Sequence, residues 1–493
     1  MRRTKSWMVA SAPALLALGA FGQASIVGLG SPPAKATGIS ADGGTIVGYD
    51  QNQTHLWSTA TPYWTSTLGG TGALQQTANG GAYASANVND VNNNNYSTAA
   101  RYVASTATWS PLPGLGSSSG TSVSTAYDIS ADGQTVVGLA WVTGGEAHAF
   151  KWTPTGGTVD VGLWLPGQGW SSRANAVSAD GNVIVGRATQ TQRAIRWAGG
   201  TGTYLGSLDP TNPIYGPSDA AGVSGDGTYV CGNSYYRAYV WDAAHGFTDL
   251  GAIGTPGFGN AGYAVAVSDD GGTVVGWSGA NVFNSQAIIW RRGMAQCESL
   301  RDYLWNLGVY QAYNNWSELK IASGVSADGL RITGWGVDLF GSAESFLVTL
   351  PPIAPEIYCT AKTNSLGCVP QIAYTGWASS SSASPFFINA SQVLSNRNGL
   401  LFYGFAPAAA PFQGGFLCVT PPTLRTQTQN SFGTPLVTDC TGTYTYDFDA
   451  RIQSGFDPNL VTGAEVYAQY WMRDPGSTPT TGLTDAVHFR IYP

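Results

Sequence analysis

Charged side chains are scarce in this chain, making up 10% of 493 residues, against about 25% in an ordinary globular domain. Aromatics nevertheless reach 12%, which excludes a disordered chain, because disorder goes with high charge and few aromatics. A basic excess is also missing: Lys and Arg number 22 against 29 Asp and Glu, a formal charge of −7. Nucleic acid and anionic membrane surfaces, which call for a basic face, are therefore not expected as partners. The four histidines (His55, His148, His245, His488) are scattered, with no His-Glu-x-x-His and no Cys-x-x-Cys to hold a metal. Neither a Gly-x-Ser-x-Gly elbow, a Walker loop nor a dinucleotide fingerprint stands in a credible context. On this reading no catalytic, metal or cofactor-binding residue is assigned, and no cofactor.

Glycine, in contrast, is abundant at 65 residues, roughly twice its usual share. At this length a single core is not expected, so a large domain followed by a second one is the starting assumption. The chain begins with Arg2, Arg3 and Lys5, then the apolar stretch Trp7 to Phe21, then small residues at Gly22 and Ala24. This is the layout of a secretory signal peptide cleaved after Ala24, too short in its apolar part to span a bilayer. Its removal leaves 19 basic and 29 acidic residues. No second long apolar run follows. The protein is expected to be extracellular or at the cell surface, not membrane-spanning, and a monomer.

Residues 25–350 are organised by a repeat, read before any motif. One unit runs Ala126-Tyr127-Asp128-Ile129-Ser130-Ala131-Asp132-Gly133-Gln134-Thr135-Val136-Val137-Gly138. Near copies surround Ser40, Ser178, Ser224, Ser268 and Ser326, and a degenerate one is placed at Asn87-Val88-Asn89, where Asn replaces Ser. The seven anchors are 41 to 58 residues apart. Most units continue into a strand ending in Trp (Trp57, Trp152, Trp197, Trp241, Trp290) and then a short strand ending near Leu-Gly. Asp42, Asp132, Asp180, Asp226, Asp270 and Asp328 precede Gly at a tight reversal, where Gly takes the left-handed conformation and Asp caps the turn. Four short strands per unit at this period predict propeller blades, and a helical 3.6-residue period is lacking. The fold expected is all-β: a seven-bladed β-propeller, with a six-bladed ring and the weak second unit as an insertion as the alternative. The last unit lacks its fourth strand, which Ser25 to Gly30 is expected to supply by pairing with Ser345 to Thr349. A short helix is expected at Ser299 to Leu304.

These motifs resemble the extracellular HAF repeat, whose His-Ala-Phe triplet stands here as His148-Ala149-Phe150. The resemblance covers about 320 residues and implies a secreted β-propeller-like protein, with no common activity to carry over. The string Ser40-Ala41-Asp42-Gly43-Gly44-Thr45 is similar to the aspartate box of sialidase propellers but one residue out of step, and the structural hairpin is the favoured reading.

Pro351, Pro352 and Pro355 break the repeat, and 351–358 is read as a stiff linker. Residues 359–493 hold Cys359, Cys368, Cys418 and Cys440, with short apolar runs at Leu400–Tyr403 and Glu465–Trp471 between turn-forming clusters. A small antiparallel β-sandwich is predicted. Two disulfides are expected, since export leads to a non-reducing compartment. Of the three connectivities, Cys359–Cys368 with Cys418–Cys440 is preferred, each closing a loop that contains Gly or Pro. Cys231 and Cys297 are expected to stay unbridged in strands. The segment Tyr358 to Cys368 resembles the start of a C-terminal module of secreted multidomain bacterial proteins, which implies surface attachment or carbohydrate binding.

Two function classes remain. The first is a secreted, non-catalytic scaffold that binds an extracellular glycan or protein through propeller loops. The second is a secreted glycan-active hydrolase or lyase of sialidase-like type, which would need an arginine cluster with carboxylates at the ring centre. Arg173, Arg193, Arg196, Arg237, Arg291 and Arg292 are mostly assigned to the aromatic strands, one layer out. Asp128 and Asp219 are the only acids expected on inner strands, each alone, so binding is favoured. His148 is read as a strand-surface residue, the repeated Trp as core packing, and Asn92 to Asn95 as a solvated loop.

Overall fold

The computed structural model describes residues 23–30, 34–50, 53–60, 64–69, 71–162, 171–188, 192–214, 216–257 and 259–493. The expected signal peptide, apart from its last two residues, lies outside them. Two compact units result, Ala24–Ile353 and Ala354–Pro493.

In the first unit, seven four-stranded antiparallel sheets follow one another among the described residues. Their inner strands are Lys35–Ile39, Thr71–Thr77, Ser124–Ile129, Ser172–Val177, Ser218–Val223, Ala261–Val267 and Trp316–Val325. Each sheet packs on the next, and the seventh packs on the first through Lys35–Ile39. This is the arrangement of a β-propeller. The seventh sheet takes its outer strand from the start of the chain: Ser25–Gly28 pairs with Phe346 to Thr349, Ser25 opposite Thr349. Ser299 caps the helix Leu300–Asn306, whose Leu300 and Leu304 are buried in the core between the sixth and seventh sheets.

Each unit owes its shape to one turn. Ser130 donates to Asp132 at 2.5 Å, and the Thr135 N–H donates back to Ser130 Oγ at 2.9 Å. Equivalent Ser–Asp bonds recur at Ser40, Ser178, Ser224, Ser268 and Ser326. The following Gly has φ between +66° and +75° in all six, a conformation that disfavours any residue with a Cβ. Ala126, Ala174 and Ala264 face Gly138, Gly186 and Gly276, and a bulge follows each Ala. A Cβ on those glycines would meet a partner carbonyl oxygen at 1.8–2.0 Å, so only Gly fits.

The second unit corrects the sequence reading. Its turn is Ala78-Asn79-Gly80-Gly81-Ala82, where Ala78 bonds Tyr83 and Gly81 bonds Ala78 as Ser40 and Gly43 bond in the first unit. Asn87, Val88 and Asn89 lie on its second strand, Tyr83–Asp90. The anchor at Asn89 is therefore misplaced by eleven residues. The Asn92 to Asn95 run closes the next hairpin, with Asp90 accepting from the Asn92 N–H. The unit lacks its own Ser and Asp, and Asp42 of the preceding turn accepts from the Gly80 N–H instead.

The turns are linked to one another around the ring. The N–H of Asn79 donates to the carbonyl of Ala131, Ala131 to Ala179, and Ala179 to Gly225. Asp269 donates likewise to Ala327, and Ala327 to Ala41. Side chains complete the circle: Asp42 N–H donates to Asn79 Oδ1, and Gly225 N–H to Asp269 Oδ1. Seven links thus join the seven turns head to tail.

In the second unit, Glu356–Tyr358, Thr481–Arg490, Glu465–Arg473, Asn398–Gly404 and two short strands form one sheet. Gln371–Thr375, Phe387–Val393 and Gly442–Asp447 form another. Both contribute to one core, in which Ile388 and Ala390 meet Leu401, Tyr470 and Phe489. The first strand begins inside the segment read as a linker. The disulfides are Cys359–Cys418 and Cys368–Cys440, with Cα separations of 6.1 and 6.5 Å, not the preferred pairing. The reason is a long-range strand pairing. Glu356–Tyr358 pairs with Thr481–Arg490, and past the bend at Cys359, where φ is +68°, the Lys362 N–H donates to the Leu483 carbonyl. Asn364 then forms a turn by accepting from Leu366 and Cys368. Cys359 is thereby held at the sheet edge, away from Cys368. Cys231 and Cys297 are free and buried, both in the core between the fifth and sixth sheets.

Candidate functional site

The seven inner strands enclose a channel of about 620 Å³. One end is the linked turns; the other, where these strands begin, is here termed the mouth. Beside the Gly–Ala layer, one step toward the mouth, the repeat stops repeating. The facing pairs there are Lys35–Tyr49, Thr125–Leu139, Arg173–Arg187, Asp219–Asn233, Tyr263–Trp277 and Ile321–Trp335. Elsewhere the units carry near-identical residues because packing demands them. Six residues of this layer, Lys35, Tyr49, Arg173, Trp277, Ile321 and Trp335, line the channel.

Asp219 organises one arc of the wall. It accepts hydrogen bonds from Arg173 and Arg187, each at 3.0 Å, and from Asn175 at 2.8 Å. The Arg173 guanidinium also lies 5.8 Å from the Tyr127 ring, and burial raises the Tyr127 hydroxyl above its usual range despite both arginines. The adjoining arc is aromatic. Tyr263 stacks on Trp277 at 4.0 Å with planes 17° apart. Lys35 lies 4.3 Å above the Trp335 ring and 5.7 Å from Phe283, close enough for a cation–π attraction. Burial raises the Tyr263 hydroxyl as well, helped by Asp219 and Tyr236.

Near the turn end, Asp128 bridges two sheets. Its oxygens accept from the N–H of Ile129 and of Val177, both at 2.8 Å. Burial pushes its carboxyl up to about 7, against the opposing effect of those two bonds.

Of the arginines singled out in the sequence, only Arg173 reaches the channel. Arg196 donates to the Gly227 carbonyl in the neighbouring turn and Arg292 to the Asp270 carbonyl. Arg237 pairs with Asp249, Arg291 with the Tyr303 hydroxyl, and Arg193 lies against Tyr204. These are ties within and between sheets. Glu318 corrects the count of inner-strand acids, since Trp316–Val325 is long enough to include it, and it pairs with Lys320. His148 pairs with Asp160 at 2.7 Å. Trp57 and Trp197 are buried in inter-sheet cores, and Trp152, Trp241 and Trp290 pack against them. Sequence reasoning missed Lys35, Arg187, Trp277, Phe283 and Trp335. The signal was present: Arg187, Trp277 and Trp335 each follow the repeat Gly, at a position whose identity changes from unit to unit.

No family model matches the chain, and no curated protein matches it. Similar solved structures include the β-propeller domain of Cps50 (Swd1) from Myceliophteria thermophila, at 9% identity and TM-score 0.42, covering 67% of this chain and 99% of that one. The β-propeller domain of the trilobed protease from Pyrococcus furiosus is similar at 10% identity and TM-score 0.40, covering 64% and 95%. TolB from Acinetobacter baumannii is similar at 14% identity and TM-score 0.32, over 45% of this chain and 53%, about half, of its own.

Proposed function

We propose that the chain is a secreted, seven-bladed β-propeller of HAF-type repeats followed by a disulfide-bonded β-sandwich, and that it binds an extracellular glycan without transforming it. The two disulfides support an oxidising compartment. The observation that carries the binding reading is the engagement of Asp219. Its carboxylate is held by two guanidiniums and an amide. Most glycosidases use two carboxylates flanking the scissile bond, about 5–9.5 Å apart, sialidases with their Tyr nucleophile being an exception. Asp128 does not offer the second, because both its oxygens are bound to backbone N–H groups near the turn end. Exposed aromatic and cationic groups around a concave mouth suit recognition instead.

The test is a glycan-array and hydrolysis screen on the purified protein. Retention of at least one glycan without product formation is the expected outcome. Turnover that disappears in Asp219→Asn would overturn the reading.

A further inference from the structure

The rim of the mouth carries residues that its backbone disfavours. The turn joining the second and third strands of the fifth sheet is Tyr235-Tyr236, with φ of +49° and +65°. Two consecutive left-handed positions in a hairpin favour Asn and Gly, and aromatic rings are poor there. The corresponding turn of the sixth sheet is Val282-Phe283, and Phe283 is 72% exposed. Both turns adjoin the wall aromatics: the Tyr236 carbonyl accepts from the N–H of Gly262, next to Tyr263, and Phe283 and Trp335 share Lys35. Local folding preference explains neither the strained turn nor the exposed ring, and such features mark ligand-contacting surface.

The charge at this level is equally one-sided. Lys35, Arg173 and Arg187 stand against Asp219 alone in that layer. Lys35 has no acidic partner among the described residues. Asp219 takes one hydrogen bond from each guanidinium, which has five donors to give. In a chain of net −7, a local surplus of cations beside stacked aromatics fits an anion attached to flat, partly apolar rings.

Resting on the binding reading above, we propose that the mouth takes an acidic polysaccharide. Its carboxylate or sulfate groups pair with Lys35 and Arg173, and its sugar faces lie on Trp277 and Phe283, all four of which line the channel. Guanidinium groups suit both oxyanions, which they can hold through paired N–H bonds.

The experiment measures binding of the full chain to polygalacturonate, dextran sulfate, neutral dextran and poly-glutamate, at low and high salt. Lys35→Ala and Phe283→Ala are measured beside the parent, after thermal melting has verified that both fold. Expected is binding to polygalacturonate or dextran sulfate that weakens at least about tenfold in each variant and falls with salt. Binding to polygalacturonate alone identifies the carboxylate as the recognised group, and binding to dextran sulfate alone identifies the sulfate. Neutral dextran bound as tightly, without salt dependence, overturns the acidic ligand but leaves glycan binding standing. Poly-glutamate bound equally well shows that charge alone is read, and overturns the proposal. Unchanged binding in folded Lys35→Ala and Phe283→Ala overturns the site. If no polysaccharide is retained here and none on the glycan array, the binding reading fails as well.

Discussion

The strand Ser25–Gly28 is short, yet it and the residue after it plug two separate cores. Ile26 is 4% exposed and belongs to the core between the sixth and seventh sheets. Leu29 is fully buried with Ala34, Ile46, Trp57 and Leu347, between the seventh sheet and the first. Replacing a buried Leu or Ile by Ala costs about 2–5 kcal/mol, transfer and cavity terms together. Unfolding entropy near 2.1 cal/mol/K per residue gives a unit of ~330 residues about 0.7 kcal/mol/K. Each substitution should then lower the melting temperature by about 3–7 °C. The two cores are distinct, so the losses should add in the double variant. Val27, 38% exposed on the same strand, is the control, and Val27→Ala should change little. Differential scanning calorimetry of the chain from Ser25 reads all four variants. Reasoning from ring closure is refuted if Leu29→Ala and Ile26→Ala melt within a degree of the parent, or if only a minor early transition moves.

Gly133→Ala should destabilise more than Asp132→Ala, because the new Cβ would meet the Tyr83 ring at 2.1 Å and φ is +69°, whereas Asp132→Ala loses turn hydrogen bonds worth roughly 0.5–1.5 kcal/mol each; chemical denaturation compares them. Peptide mapping without reduction should recover Cys359 joined to Cys418 and Cys368 joined to Cys440. Replacing Cys368 and Cys440 by Ser opens a loop of 72 residues and should cost the tail about 4 kcal/mol by the chain-entropy relation. Asp128 is raised from 3.8 to about 7 by burial, so the fold favours its protonated form; its contribution is full below about pH 4 and is lost as pH rises toward 7. Melting temperatures of Asp128→Asn should therefore show a flatter pH dependence than the parent's between pH 4 and 7.

Much of this architecture was legible because the turn chemistry is local. Ser, Asp and Gly at fixed offsets specify the reversal with no help from distant residues, and six of the seven turns could be placed by it. The second unit escaped because its cap comes from Asp42 in another unit, so the sequence around Asn79 carries Gly80 and Gly81 but no Ser or Asp. The disulfides escaped for a similar reason. What separates Cys359 from Cys368 is the pairing of Glu356–Tyr358 with a strand more than a hundred residues away, and no short-range rule reports that. The mouth was partly visible: Arg173 and Asp219 were noted separately, but their meeting depends on the packing of the fourth sheet against the fifth.

The linked turns and the borrowed outer strand impose an order on biosynthesis. Ser25–Gly28 leaves the ribosome before every other strand of the ring, and its partner Ala343–Thr349 is made some 320 residues later. Until then the strand has no partner and the circle of turns stands open between Ala41 and Ala327. A waiting strand is a hazard in proportion to its length and its hydrophobic pairing strength. Here it is four residues long, ends in Gly28, and is followed by Gly30 at φ +79°. The segment that must stay unclaimed the longest is thus one of the least able to recruit a wrong neighbour.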